Sequence, residues 1–256
     1  MDKKKISETL KLVKEFSKPR NFKQSVDLII NLKELNLKKP EDNIDLFVAL
    51  PHPFAKNLKI CAFADKSSKD IAKIFDKVIS EDDFLVFKDK KKLKQLVKEY
   101  DYFVAQTNLM GKVATIFGKV LGPKGKMPNP KAGCVFPPNA DLNIIKSKLE
   151  QIVRLRTKNE KIVKVCVGKD DMKEEDLIEN IIFVYNSLIH ALPKESHNIK
   201  NVYLKFTMGI SMLVGETRKD IEERMKLKES PRKSKKTAKV EENKWKPMFQ
   251  KKRRKK

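Results

Sequence analysis

Apolar residues recur along this chain with two different periods. Over 3–16 they fall at Ile6, Leu10 and Val13, followed by Phe16, and lysines fill much of the rest. That spacing predicts an amphipathic helix, ended by Ser17-Lys18-Pro19. From Phe22 the period shortens to two. Val26, Leu28 and Ile30 alternate with other residues, as in a strand with one buried face. Residues 44–50 read as a second strand, stopped by Pro51-His52-Pro53. From Lys59 strand and helix patterns alternate. Strands are expected at 59–65, 84–87 and 102–105, and helices at 68–79, 90–99 and 113–121. A helix capped by Asp141 is expected to run to about Leu155. A strand at 161–167 precedes a long helix whose acidic start, 170–176, suits its dipole. That helix is expected to bury Leu177, Ile178, Ile181, Val184, Tyr185, Leu188 and Ile189 and to stop at Pro193. Strands at 201–206 and 210–214 follow. After Asp220 the chain is charged and poor in apolar residues, which predicts disorder.

Strand–helix alternation in the middle implies a parallel sheet covered by helices. The strand-rich ends differ from it. The fold class expected is therefore α/β, with one domain made from both chain ends and a second inserted between them. At 256 residues the chain is long enough for two ordinary domains.

Charge changes the picture from fold to partner. The net charge is +24, which points to a polyanion: nucleic acid first, an anionic membrane surface second. Residues 222–256 hold 16 Lys/Arg against 5 Asp/Glu, a net +11. The other +13 lies in the body, which is basic without its tail. The cysteines Cys61, Cys134 and Cys166 are far apart and none lies in a C-x-x-C, so neither a disulfide scaffold nor a zinc knuckle is expected. Cys61 and Cys166 sit in apolar runs and read as buried small residues. The histidines His52, His190 and His197 have no Cys or carboxylate at catalytic spacing. No metal or other cofactor is expected. The first residues lack an apolar signal core, and the richest apolar stretch is too short to span a membrane. A soluble, cytoplasmic protein is expected.

The stretch 118–138, GKVLGPKGKMPNPKAGCVFPP, holds four of the eight glycines and five of the twelve prolines. Such a run predicts a loop of fixed shape. Four lysines and no carboxylate suggest a phosphate contact or an interdomain joint; a solvated connector is the plain alternative. A nucleotide-binding P-loop needs G-x-x-x-x-G-K-[ST]. Gly125-Lys126 matches its end, but Val120 and Met127 break it. That argues against a nucleotide-dependent enzyme.

The chain resembles the L-one family of large-subunit ribosomal proteins, in its archaeal and eukaryotic branch. The resemblance rests on NFKQSVDLIINLK (21–33), ALPH (49–52), LGPKGKMPNP (121–130), PPNADL (137–142) and TMG (207–209). It covers about 5–215. It implies domain one from 1–62 and 146–221 and an inserted three-layer, Rossmann-like α/β domain at 63–145. The basic tail, 222–256, lies outside the family core. Where family members carry glycine after LPH this chain has Pro53, and Ile210 follows TMG where proline is common.

The resemblance also implies the role: a structural, non-enzymatic protein binding large-subunit rRNA of the mobile stalk beside the tRNA exit site. Release of deacylated tRNA and repression of translation through its own mRNA go with it. The protein would be monomeric within the ribosome. A ribosome-assembly factor of the same fold is the alternative. The implied RNA-binding residues are Phe22, Thr207, Met208 and Gly209. Thr207 offers a hydroxyl, Gly209 close backbone approach, and Phe22 and Met208 apolar faces. Arg20, Lys23, Lys161, Lys169 and Lys205 are candidates for phosphate contacts. Gly122, Lys124, Gly125 and Lys126 are expected to form an interdomain or tRNA-facing loop.

Overall fold

The computed structural model describes residues 1–37, 39, 42–54, 58–65, 71–138, 140–157, 159–224 and 226. Helix α1 (Lys3–Phe16) forms as its period demands, with Ile6, Leu10 and Val13 buried. Strand β1 (Ser25–Leu32) alternates without a break, burying every second residue. It is central in an antiparallel sheet. On one side lies β8 (Ile162–Lys169); on the other lie β9 (Ile199–Phe206) and then β10 (Met212–Leu213). Helix α6 (Glu174–Ala191) and α1 cover one face. Leu177, Ile181, Val184 and Leu188 join Val26, Leu28 and Ile30 in a single core. Both chain ends build this core, from Ile6 to Leu50 and from Val153 to Ile221.

The middle of the chain forms a parallel sheet, ordered β4-β3-β5-β6. Its strands are β3 (Ile60–Phe63), β4 (Lys77–Ile79), β5 (Tyr102–Gln106) and β6 (Val135–Phe136). One face carries α3 (Lys90–Glu99) and α4 (Met110–Lys124) over Cys61, Phe63, Phe103 and Ala105. The other carries α2 (Ile71–Ile74) and α5 (Leu142–Gln151) over Ile60, Ala62 and Val104. A two-stranded ribbon of β2 (Asp45–Ala49) and β7 (Ile152–Arg156) lies where the chain leaves one sheet system and returns to it.

Several expectations are corrected. The helix expected at 68–79 is only α2 among the described residues; Val78 and Ile79 instead pair with Ala62 and Phe63 in β4. The strand expected at 84–87 is a 3₁₀ turn, Asp82–Lys88. Asp83 accepts from both the amide and the hydroxyl of Ser80, which turns the chain, and Phe84 meets Phe63 edge-on. The helix capped by Asp141 ends at Gln151; Asp141 does accept from the Asn143 amide. Beyond it Val153 and Leu155 alternate with Arg154 and Arg156, and that period of two makes β7. The strand expected at 210–214 shrinks to β10.

The stretch 118–138 is not loop throughout. Helix α4 continues through Gly118, Gly122 and Pro123 to Lys124. Pro123 has no N–H to donate to the carbonyl four residues back, so the last turn of the helix forgoes one hydrogen bond. Gly125 then turns left-handed at φ 69°, its amide bonding Gly122 O, and the Lys126 amide bonds Leu121 O. This pair of bonds satisfies the last carbonyls of the helix. The expected disorder after Asp220 is corrected as far as 224, because 218–224 is helical and Ile221 lies in the core. Beyond Lys226 the expected tail lies outside the described residues.

Candidate nucleic-acid interface

The N-terminal end of β1 and the C-terminal ends of β8 and β9 converge. Ser25 stands opposite Lys169, and Val26 opposite Phe206. Two loops therefore meet at this edge of the sheet: 17–24, leading into β1, and 207–211, leaving β9. Thr207 ties them together. Its amide donates to Ser25 O at 3.0 Å and its hydroxyl to the same oxygen at 3.2 Å. The Gly209 amide closes a tight turn onto Phe206 O at 2.8 Å.

Glycine at 209 has a local cause. A Cβ there would lie 2.9 Å from Ser17 Oγ and 3.2 Å from Phe206 Cβ. The close approach is to the protein's own chain. The Thr207 hydroxyl, likewise, already donates internally. Both residues thus shape the surface, and the side chains that project from it are Phe22 and Met208. Phe22 is 55% and Met208 60% exposed, although both are large and apolar.

The cations expected beside them divide into groups. Lys23 Nζ lies 2.7 Å from Asp171 Oδ2, and the bond raises the lysine and lowers the carboxyl from their ordinary values. Lys205 stands opposite Asp27 on β1. Burial pushes the Asp27 carboxyl up, against the pull of Lys205 and of a Thr207 hydrogen bond. Lys169 borders the surface through its pairing with Ser25. Arg20 is exposed in the 17–24 loop. Lys161 is not with them. Its carbonyl accepts from the Leu32 amide, at the opposite end of β1.

The loop at 122–126 is also divided. Lys126 Nζ donates to Val97 O at 3.1 Å and Tyr100 O at 2.6 Å, so it caps the C-terminal end of α3 instead of facing a ligand. A Cβ on Gly125 would lie 3.6 Å from Arg154 Nη1 on β7. Lys124 remains exposed.

Residues 13–210 match the ribosomal protein L1p/L10e family. The chain belongs to that family. The large ribosomal subunit protein uL1 of Pyrococcus abyssi is 38% identical over 83% of this chain and 96% of its own length. The uL1 protein of Thermococcus kodakarensis is 38% identical over 83% of this chain and 98% of its own length. The uL1 protein of Methanothermobacter thermautotrophicus is 39% identical, over 80% and 95%. These relatives fit the archaeal side of the resemblance. An L1p/L10e member is a structural ribosomal protein, and this chain is not an enzyme.

Other polar groups fit a structural role. His52 does meet carboxylates, contrary to expectation: Nε2 is 2.8 Å from Glu179 and Nδ1 3.8 Å from Asp176. Asn180 bonds both the amide and the carbonyl of His52, locking the 51–53 turn onto α6. Burial pushes the Cys61 thiol up to about 12, which keeps it protonated. Cys134 is buried too, whereas Cys166 is only partly so. Among the described residues no His, Cys, Asp or Glu cluster suits a metal, and no helix is long and apolar enough to cross a membrane. Sequence reasoning missed Asp27, Asp171 and Ser25. Their partners lie far along the chain, 148 residues away for Asp171 and 182 for Ser25, so no local pattern marks them.

Proposed function

We propose that this chain is a constituent of the large ribosomal subunit that binds rRNA of the mobile stalk near the tRNA exit site. The RNA-facing surface is the edge where 17–24 meets 207–211. One observation carries the reading: Phe22 and Met208 are both more than half exposed on a surface that the backbone otherwise fixes tightly. Apolar faces held this way suit splayed bases and sugars of folded RNA, and Lys169, Lys205 and Arg20 flank them for phosphates. A similar RNA fold in its own messenger would bind the same surface and repress translation. Contact with exit-site tRNA, and thus help in its release, falls to Lys124 rather than Lys126. The RNA-binding body is a domain cored by both chain ends, with the parallel-sheet unit inserted into it.

Crosslinking to total cellular RNA with site mapping tests the ligand. One large-subunit rRNA segment should dominate, and crosslinks scattered over unrelated RNAs would refute the reading. Phe22→Ala and Met208→Ala test the surface. Phe22→Ala should weaken binding by about 1–3 kcal/mol, the range for a lost aromatic stacking contact, and Met208→Ala should weaken it through lost apolar contact. Neither should alter the melting temperature, because both side chains are exposed.

A further inference from the structure

We infer a second RNA contact, a phosphate-binding cleft between the end of α4 and the turn from β7 to β8. The cleft encloses about 590 Å³. Its charged lining residues are Lys124, Arg154, Arg156, Lys164 and Glu160, four cations against one carboxylate. The cations differ in how far they are engaged. Arg154 holds Asp45 through two bonds of 2.7 Å. Lys164 touches Glu160 at 3.4 Å, in a pair more than half exposed on both sides. Such a pair is weak and exchanges partners readily. Lys124 and Arg156 have no side-chain hydrogen bond or ion pair among the described residues. Arg156 stands opposite Asp45 and its charge helps hold that carboxyl below its ordinary value, but both hydrogen bonds to the carboxylate come from Arg154.

The lining excludes an ordinary small-molecule pocket. Ile162 is its single apolar side chain, whereas small ligands are held mostly by apolar walls. A polar cleft with surplus guanidinium and ammonium groups fits a phosphodiester backbone. Position favours a polymer as well. Strand β8 starts at Ile162 in the cleft and ends at Lys169, beside the Phe22–Met208 surface. At about 3.3 Å per residue the two sites lie roughly 23 Å apart along one strand. A folded RNA segment is long enough to touch both. Lys161, placed away from the first surface, adjoins this one. Phosphate contacts carry no base information, so the cleft adds affinity and orientation rather than sequence choice.

The class of ligand rests on the ribosomal reading above; the site itself does not. The test is binding of the full chain to transcribed large-subunit rRNA and to an unrelated RNA of equal length, over a series of salt concentrations. The variants are Lys124→Ala/Arg156→Ala and, separately, Met208→Ala. Each lost phosphate contact lowers the slope of log K against log salt by about 0.7–0.9. The double variant should therefore flatten the slope by about 1.4–1.8 and weaken both RNAs alike. Met208→Ala should weaken only the rRNA and leave the slope unchanged. An unaltered slope in the double variant, with Met208→Ala still defective, would overturn the cleft and keep the first surface. A flattened slope with Met208→Ala at wild-type affinity would keep the cleft and overturn the first surface. The charge-reversed pair Lys124→Glu/Arg156→Glu should flatten the slope further, and an unchanged slope there too would dispose of the cleft.

Discussion

Lys124 and Lys126 are two positions apart and do unrelated things. The ammonium of Lys126 reaches back to Val97 O and Tyr100 O, carbonyls left open where α3 ends. A cation there also opposes the negative end of the helix dipole. Lys126→Met keeps the aliphatic stem and removes the donor. It should lower unfolding free energy by about 1.5–3 kcal/mol, the range for hydrogen bonds from a charged group. Lys124→Met should leave stability unchanged. Urea denaturation of both variants checks this, and equal stabilities would mean the α3 cap is dispensable. The distinction is invisible in the sequence, because the bonds span 26 and 29 residues. At the RNA-facing edge the sequence names the residues only through resemblance. Periodicity places Val26, Leu28 and Ile30 inside and opens the strand at Phe22, but β1 begins at Ser25 and leaves Phe22 outside the alternation. Nor does periodicity reveal that the Thr207 hydroxyl already has a partner in Ser25.

At the scale of elements, the long periodic segments were readable and the short ones were not. α1, α3 and α6 each repeat their apolar stripe over several turns, so their existence follows from spacing alone. β4 has three residues, and Val78 also continues the helical spacing of Ile71, Ile74 and Phe75. Only the parallel register against β3 decides it. β7 was hidden similarly, because Ile152 and Val153 extend the apolar pattern of α5. The ribbon of β2 and β7 is held partly by Asp45 and Arg154. The hydrogen bond from Arg154 is the main cause that holds the Asp45 carboxyl below its ordinary value; burial works against it. A depressed folded value gives stability that is present above the unfolded pKa, about 3.9. That stability is lost as pH falls through the folded value. Asp45→Asn should therefore destabilise at neutral pH, by no more than about 1 kcal/mol for so exposed a pair. The gap between variant and parent should close as pH drops below 4. Melting temperatures from pH 7 to pH 2 check the sign, and a gap that widens in acid would contradict it.

At the scale of the whole molecule, the two sheet systems have separate cores. The core shared by the chain ends holds Leu50 and Val153 but no residue between them among its fully buried members. Ile60 and Leu149 belong instead to the core beneath the parallel sheet. Boundaries expected at 62/63 and 145/146 would cut β3 and α5, so the proposed insertion is better drawn within 51–59 and near 150. The strand pairing makes this excision feasible. Ala49 stands opposite Ile152, and the Leu50 amide donates to Gln151 O at 2.9 Å, so the two crossings run side by side. Replacing 55–150 with a short glycine–serine linker keeps that ribbon and the contacts of His52 with α6. The remaining chain should fold cooperatively, because its hydrophobic core loses no fully buried member. It should bind rRNA through Phe22 and Met208, with a shallower salt slope, since Lys124 is gone while Arg156 remains. Circular dichroism melting and RNA titration of this protein check both points. Loss of a cooperative melt would mean that the chain ends need the inserted unit to fold. A cooperative melt without RNA binding would mean that the parallel-sheet unit, not the surface at the N-terminal end of β1, supplies the principal RNA surface.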